Sequence, residues 1–394
     1  VLVVLPSWLG DTAMATPALG LLRAALPSSV IVGLCRPGID ELLAGTDFLD
    51  DCVVMDTRSV LGPAKAAARL KPFRLGAALL LPNSFASAVT VRLAGVPIRV
   101  GYDRDGRGPL LTHHLHAPKR TAPAFTRPGG WAPVSAVDYY LAAARALLAA
   151  LGDAAARRAP QHDPPMALGV TTIQDLRAQE VLHKGGIQAG EPFALLNPGG
   201  NNPAKRWPVE RFAAVAHELI ARRGLKVAIN GSPGEAGLVR LIRDAVALNE
   251  PADAARLACL PELGGTIGSL KGIVRRARVM VTNDTGPRHL AAAFGIPCVT
   301  LFGPTDPRWT RLPPTPARPA HDPGAPEGGD PTPPGWTWGQ GEEPGSLRPR
   351  EIILTADPTL PPEEVADDHP ERCRIERIAT HEVLGALARV LGPG

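Results

Sequence analysis

At 394 residues the chain is long for a single core, and its 45% hydrophobic and 20% charged residues describe a soluble globular protein of two domains. A net charge of +4 is too mild to argue for nucleic acid as a partner. No apolar run approaches the ~20 residues of a membrane span, and Val1–Leu5 lacks the basic leader of a signal peptide, so a cytoplasmic protein is expected.

The absence of an initiator Met points to processing or trimming. Cys35, Cys52, Cys259, Cys298 and Cys373 are odd in number and scattered without C-x-x-C spacing, which suggests neither a disulfide framework nor a zinc site.

The first half opens on a predicted strand, Val1–Leu5, then the loop Pro6-Ser7-Trp8-Leu9-Gly10-Asp11, then an alanine- and leucine-rich helix from about Thr12 to Leu26. In a doubly wound sheet such a loop lies at the ligand-binding edge. Val30–Leu34, Cys52–Met55 and Ala77–Leu81 read as further strands, with helices near Pro63–Leu70 and Ser84–Ala94, an alternation that implies a parallel sheet.

Next, Arg92, Arg99, Arg104, Arg107, Lys119, Arg120 and Arg127 face only Asp103 and Asp105, with His113, His114 and His116 among them. A solvated surface and an anion-facing patch account equally well for that imbalance. Asp103-Arg104-Asp105 has the D-x-D spacing of a metal site but sits in a basic turn, and is read as a turn. No other Asp, Glu or His cluster has ligand spacing, so metal independence is expected.

Leu110–His116 reads as an irregular strand or a loop, and Val134–Leu151 as a helix. Breakers and charges crowd Arg157–Pro165, read as the boundary between a domain of residues 1–160 and one of residues 161–394. After a helix over Thr171–His183 a second alternation appears: strand Phe193–Asn197, helix Val209–Arg222, strand Lys226–Asn230, helix Glu235–Val246 and helix Gly268–Arg276. The fold class is therefore α/β with two Rossmann-like halves.

Val279–Val281 is a buried strand, and Thr285-Gly286-Pro287 opens a helix with proline at its first position. The N–H groups of Arg288, His289 and Leu290 are then available to an anion at the strand's carboxyl end, where the helix dipole favours phosphate. Asp284 and Thr285 read equally well as a helix cap. Arg288 and His289 add two donors, more than a cap requires, although a lone helical histidine is more often structural. From Pro313 to Pro370 prolines and glycines crowd, and an irregular excursion is expected, with Trp336 and Trp338 to pin it. Ile375–Leu391 returns to helix, with Thr380 as its cap.

The loops Pro6–Asp11, Asn197–Trp207 and Thr282–His289 are expected to meet in a cleft between the halves. Their motifs are Pro6-Ser-Trp-Leu-Gly-Asp-Thr-Ala-Met-Ala-Thr-Pro-Ala-Leu19, Asn197-Pro-Gly-Gly-Asn-Asn-Pro-Ala-Lys-Arg-Trp-Pro208, and Asn283-Asp-Thr-Gly-Pro-Arg-His-Leu290 with Phe302-Gly-Pro-Thr-Asp306. Together they resemble the bacterial heptosyltransferase family, glycosyltransferases of GT-B architecture whose two Rossmann-like, doubly wound domains face a central cleft. The resemblance spans both halves in the family's order. The stretch from Pro313 to Pro349 is longer than the family leads one to expect.

The resemblance implies transfer of heptose from an ADP-activated donor to the inner core of lipopolysaccharide, an anionic lipid-linked acceptor, with no cofactor. An inverting transfer needs a base for the acceptor hydroxyl. The resemblance assigns that role to Asp11, which by itself also reads as a loop or capping aspartate. Lys205 would place a compact positive charge on the diphosphate in place of a metal; otherwise it is a solvated loop lysine. Arg206 would share that task or pair with a carboxylate. Thr285, Gly286 and the N–H groups beyond them would complete the anion site, with His289 a further donor.

Glu235 would accept from donor hydroxyls, or is simply a helix-start glutamate. Ser7 and Gly10 would shape the acceptor loop, where glycine allows close backbone approach. Arg104 and Arg107 would face acceptor phosphates or the inner-membrane surface. Two other readings are a GT-B transferase or epimerase with a different nucleotide sugar, and a binding protein that keeps the nucleotide site without catalysis. A dinucleotide oxidoreductase is disfavoured because no G-x-G-x-x-G follows the first strand.

Overall fold

The computed structural model describes residues 1–56, 59–120, 130–313 and 351–392. Arg127, Trp336 and Trp338, singled out above, lie outside them. The chain divides into two compact units, Val1–Gly169 with Arg308–Leu312, and Val170–Pro307 with the described part of Pro313–Gly394.

In the first unit β1 (Leu2–Val4), β2 (Val32–Cys35), β3 (Asp51–Val54), β4 (Ala77–Leu80), β5 (Ile98–Tyr102) and β6 (His113–Leu115) form one parallel sheet in the order β3-β2-β1-β4-β5-β6. Leu2-Val3-Val4 and Ala77–Leu80 are buried throughout, as strands covered on both faces must be. The helices are α1 (Leu9–Ala25), α2 (Ile39–Leu43), α3 (Gly62–Leu70), α4 (Phe85–Leu93), α5 (Ala136–Ala150) and α6 (Asp153–Arg158). From β1 the chain winds outward to β3, then crosses back to β4 and winds the other way. Right-handed crossovers therefore put α1 and α2 on one face and α3 and α4 on the other. In keeping with this, α1 packs on α5 and α3 on α4. The winding reverses between β1 and β4, the crevice where doubly wound sheets bind ligands.

The second unit repeats this winding. Its strands are β7 (Phe193–Asn197), β8 (Lys226–Ile229), β9 (Leu257–Cys259), β10 (Val279–Asn283), β11 (Cys298–Phe302) and β12 (Glu351–Thr355), all parallel, in the order β12-β11-β10-β7-β8-β9. Its helices are α7 (Thr172–Lys184), α8 (Val209–Ala221), α9 (Ala236–Asn249), α10 (Pro251–Ala254), α11 (Ile267–Arg276), α12 (Gly286–Ala293) and α13 (Thr380–Leu391). Here the winding reverses between β7 and β10. Trp207 is buried in this core, its ring edge-on to Phe212 at 5.3 Å and its indole N–H donating to the Ile378 carbonyl at 2.9 Å. That bond anchors the segment before α13 under the loop after β7.

Several expectations change. Residues 351–355 are not part of an irregular excursion but a strand, because Glu-Ile-Ile-Leu-Thr is an extended-favouring run that pairs in register with β11, Val299 opposite Ile352. Strand β5 lies inside the basic stretch, where Arg99 obscures an otherwise apolar run. Leu110–His116 resolves into a tight turn followed by the short β6. Helix α1 begins at Leu9 rather than Thr12, since Trp8 is the extended N-cap residue; Gly10 and Asp11 are therefore on its first turn, not on the loop. Pro287 takes the second helical position rather than the first. Thr380 does not cap α13; Ala379 precedes the helix, and the Glu382 carboxylate accepts from the Ala379 N–H at 2.6 Å.

Strand β12 is held by charge as well as by its ladder. Arg288, fully buried on α12, donates Nε to Oε1 of Glu351 and Nη2 to Oε2 at 3.0 Å, and the Thr300 hydroxyl donates to the same carboxylate. Removing one partner of a buried pair leaves the other charge desolvated. Replacing Glu351→Ala should lower the unfolding free energy by about 3 kcal/mol in urea titration; a loss within experimental error would show that the pair does not hold the strand.

Candidate active site

In the second unit the carboxyl ends of β7, β8 and β10 each finish on asparagine or lead directly into one, and these side chains knit the loops together. Asn197 donates to the hydroxyls of Thr282 (3.0 Å) and Thr285 (2.8 Å) and accepts from Asn230 at 2.6 Å. Asn283 donates to the carbonyl of Pro198 at 2.7 Å and accepts from the Trp207 N–H at 3.4 Å. A polar residue that closes a buried apolar strand can meet its hydrogen-bonding needs only from the neighbouring strand ends. The loop after β7 is thereby fixed against the start of α12.

Asp284 is the centre of the charged layer above them. It is 6% exposed, accepts from Lys205 Nζ at 2.9 Å and Thr305 Oγ1 at 3.0 Å, and faces Arg288 Nη1 at 3.5 Å. Burial pushes its pKa up, but Lys205 and Arg288 outweigh that and hold the carboxyl below its ordinary value. Glu235 is held low as well: burial raises it, while the Ser232 N–H and hydroxyl, the Gly200 N–H and Arg206 lower it more. Its Oε1 accepts from Gly200 at 2.8 Å and its Oε2 from Ser232 at 2.8 Å, so Glu235 staples the loop after β8 to the loop after β7. A Cβ at position 199 would lie 2.5 Å from Glu235 Oε1, so a larger residue there would displace this carboxylate. Arg206 donates to the Gly200 carbonyl at 2.9 Å and lies 4.0 Å from Glu235.

His289 is buried and its Nδ1 has no hydrogen-bond partner among the described residues. Burial and then the Arg288 charge push its pKa down to about 3, so at neutral pH it is an uncharged imidazole. Within the first turn of α12, Pro287 has no N–H and the Arg288 N–H is taken by the Thr285 carbonyl. The Gly286 N–H is a further backbone donor of that turn, following the Thr285 hydroxyl and near the partly exposed Lys205 ammonium.

In the first unit, consecutive tyrosines of α5 reach both sides of the winding reversal. The buried Tyr140 hydroxyl donates to Asp11 Oδ1 at 3.3 Å, and Tyr139 donates to Asn83 Oδ1, after β4, at 3.0 Å. Burial and the Asp11 charge raise the Tyr140 pKa well above its ordinary value, which keeps the phenol a neutral donor. Thr12 fixes the loop by donating to the Pro6 carbonyl at 3.2 Å. Ser7 and Trp8 are exposed and Gly10 is buried. Among the described residues no group of three or more His, Cys, Asp or Glu side chains is placed to hold a metal ion.

Loops of this kind, at the strand ends of two doubly wound sheets, match a known family. The model of glycosyltransferase family 9 (heptosyltransferase) matches residues 64–320. The chain belongs to glycosyltransferase family 9. It is 27% identical over 316 residues to lipopolysaccharide heptosyltransferase 2 of Escherichia coli (strain K12), which covers 79% of this chain and 84% of that protein. It is 28% identical over 324 residues to lipooligosaccharide heptosyltransferase 2 of Haemophilus influenzae, covering 79% and 85%. The fold matches the structure of E. coli ADP-heptose lipopolysaccharide heptosyltransferase II over 99% of this chain and 98% of the other, with a TM-score of 0.70 at 23% identity. The architecture is GT-B, with two Rossmann-like domains.

In this family 9 glycosyltransferase, Lys205, Arg206, Glu235, Asp284, Thr285, Gly286 and His289 share one region of the second unit, while Ser7, Gly10 and Asp11 lie in the first. Two expected ligand groups prove otherwise engaged. Arg107 is fully buried, donating to the carbonyls of Tyr102 at 2.8 Å and Pro82, the Ser87 hydroxyl and Asn83; it braces the loop after β4 and is not available to an acceptor phosphate. Arg288 is likewise committed, to Glu351 and Asp284. Arg104 rests over the Trp131 ring at 4.3 Å, and Arg99 donates to the carbonyls of Leu110 and Val96, so among the described residues of the basic stretch these two arginines, like Arg107, are engaged within the fold. Asp103–Asp105 is a turn, with Asp105 in the left-handed region at φ 55°.

Burial keeps His289 neutral, so any hydrogen bond it makes comes from an uncharged imidazole. Asn230, Asn83, Tyr140 and Glu351 were not singled out in the sequence. The first could have been found as an asparagine that ends an apolar run; Glu351 lay beyond a proline-rich stretch that gave no sign of a strand.

The His289 environment has a pH consequence. Its folded pKa, about 3, lies below the 6.5 of an ordinary histidine, so the unfolded chain binds a proton that the folded one refuses. Its contribution is fully present above that ordinary value and is lost as pH falls through the window toward the folded one. The stability difference between wild type and His289→Leu should therefore shrink with a slope of about 1.4 kcal/mol per pH unit between roughly pH 6 and pH 4 in urea titrations. A pH-independent difference would show that His289 titrates normally.

Proposed function

We propose that this chain transfers heptose, with inversion, from an ADP-heptose-like donor to the inner core of lipopolysaccharide, using no metal. The names of its E. coli and H. influenzae relatives favour that donor and acceptor class. The observation that carries the donor half is the Lys205 and Asp284 pair, set where β7 and β10 end, beside the Gly286 N–H and the Thr285 hydroxyl.

Charges in this region are balanced side chain against side chain: Lys205, Arg206 and Arg288 stand among Glu235, Asp284 and Glu351. An arriving diphosphate competes with Asp284 for the Lys205 ammonium. As the anomeric C–O bond breaks, its electron pair goes to the diphosphate oxygen, and the added charge there strengthens the contact with Lys205. Asp11 takes the proton from the acceptor hydroxyl as that oxygen forms the new bond from the opposite face. Tyr140 holds the Asp11 carboxylate in orientation through a neutral hydrogen bond. No described helix is long and apolar enough to cross a membrane.

Two measurements test this reading. Calorimetric titration with ADP in the absence of divalent metal should show Lys205→Ala binding roughly 10- to 100-fold more weakly, the value of a lost charged hydrogen bond. A preference of the wild type for UDP or GDP would overturn the donor assignment. Asp11→Asn should bind ADP like the wild type while its turnover falls by about 10²–10⁴, the range of a lost general base; unchanged turnover would remove Asp11 from that role.

A further inference from the structure

Arg107 is a charge buried without an ion pair among the described residues. It is fully enclosed, burial pushes its pKa down, and its hydrogen-bond partners are all neutral: the carbonyls of Tyr102 and Pro82, the Ser87 hydroxyl and Asn83 Oδ1. Gly101 makes room for it, since a Cβ there would lie 3.1 Å from Arg107 Nη2. A charge taken out of water in this way costs stability. What it fixes is the segment Pro82–Asn83, just after β4, which it holds from inside the unit at both residues.

That hold determines which way the Asn83 amide faces. Its Oδ1 accepts from the Tyr139 hydroxyl at 3.0 Å and from Arg107 Nη2 at 3.3 Å. A guanidinium can only donate, so the amide oxygen and not the nitrogen must stand on that side. Burial raises the Tyr139 pKa and keeps its phenol a donor as well. The Asn83 side-chain NH2 is therefore turned away from both, and it has no hydrogen-bond partner among the described residues, although Asn83 is only partly exposed. An amide whose oxygen is doubly occupied and whose nitrogen is open is set in advance to donate to a ligand.

Asn83 also stands where the winding reverses. The Leu81 N–H donates to the Val4 carbonyl at 3.2 Å, so the segments after β1 and β4 leave the sheet side by side. Tyr139 and Tyr140, consecutive on α5 with rings 6.0 Å apart, tie Asn83 and Asp11 to one helix. Two exposed aromatic side chains flank this edge from opposite faces of the sheet: Trp8, 59% exposed before α1, and Phe85, 52% exposed at the start of α4. An open donor between exposed aromatic rings suits a sugar, whose hydroxyls take hydrogen bonds and whose C–H faces lie against rings. We propose that Asn83 is a specificity-determining residue for the acceptor, its side-chain NH2 donating to a hydroxyl oxygen of the acceptor sugar next to the one that Asp11 deprotonates. The inference rests on the transfer reading above, with Asp11 as base. A donor on the attacking oxygen itself would draw on the lone pair that forms the new bond, so the contact falls on its neighbour.

The test separates the two ends of the amide. Asn83→Asp keeps an oxygen for Tyr139 and Arg107, gives Arg107 a counter-charge and removes the donor. The whole protein is assayed with ADP-heptose and, as acceptor, lipopolysaccharide truncated within the inner core. Asn83→Asp should melt no lower than wild type and bind ADP equally, while its kcat/KM for the acceptor falls about 10- to 100-fold at every pH from roughly 6 to 9. Asn83→Ala should lose turnover to a similar degree and also melt lower, because it leaves Arg107 and Tyr139 short of an acceptor. Wild-type turnover in Asn83→Asp would assign Asn83 to the brace alone and overturn the proposal. So would a loss that disappears as pH rises, since the new carboxylate would then be acting on Asp11 and not on the acceptor. Asp11→Asn, assayed alongside, keeps the two readings apart: a loss there with none in Asn83→Asp removes this inference only, and unchanged turnover there removes the base assignment on which it rests.

Discussion

A carboxylate taken out of water must find cations, and Asp284 organises the second unit by finding two. Its desolvation raises its pKa; Lys205 and Arg288 outweigh that and hold the carboxyl below its ordinary value. Satisfying this one group draws in the loop after β7 through Lys205, the loop after β11 through Thr305, and α12 through Arg288. Arg288 in turn fixes Glu351 and with it β12 at the edge of the sheet. A buried ion pair adds little net stability over an apolar contact of the same size, but it is intolerant of misplacement. Its effect here is to specify where Lys205 stands, at the end of the two central strands and partly exposed.

The first unit solves the same topological problem with different chemistry. At its own winding reversal the first turn of α1 and the loop after β4 are each tied to α5 by a neutral hydroxyl, Tyr140 to Asp11 and Tyr139 to Asn83, with Tyr102 stacked on Tyr139 at 3.6 Å. Arg107 completes the brace from inside. One unit thus holds a partly exposed ammonium against a buried carboxylate, and the other a carboxylate fixed by a phenol. The proposed inverting transfer would draw on both environments, one from each Rossmann-like unit.

Much of this was legible in the sequence because parallel strands buried on both faces leave apolar runs that only a polar loop can end. Strands β10, read as Val279–Val281, and β7, read as Phe193–Asn197, were both found, and the segments after them carry the residues proposed for the donor. The edge strands Glu351–Thr355 and Leu257–Cys259 were not, since each gains its stability from pairing with a segment distant in sequence. Pattern alone also cannot separate a charged ligand group from a structural one. Arg107 and Arg288 looked like binding residues for their charge, yet each is enclosed and its donors are taken within the fold. Asp11 was singled out but placed on a loop, because nothing in Trp8-Leu9-Gly10 marks the helix as already begun.

The proposed chemistry depends above all on where the diphosphate binds, and the most direct measurement is a crystal structure with ADP bound. The diphosphate is expected at the ends of β7 and β10, with Lys205 Nζ within about 3 Å of a phosphate oxygen and the Gly286 N–H directed at the same group. ADP bound instead at the loops after β1 and β4, or a diphosphate out of reach of a Lys205 still paired with Asp284, would contradict it.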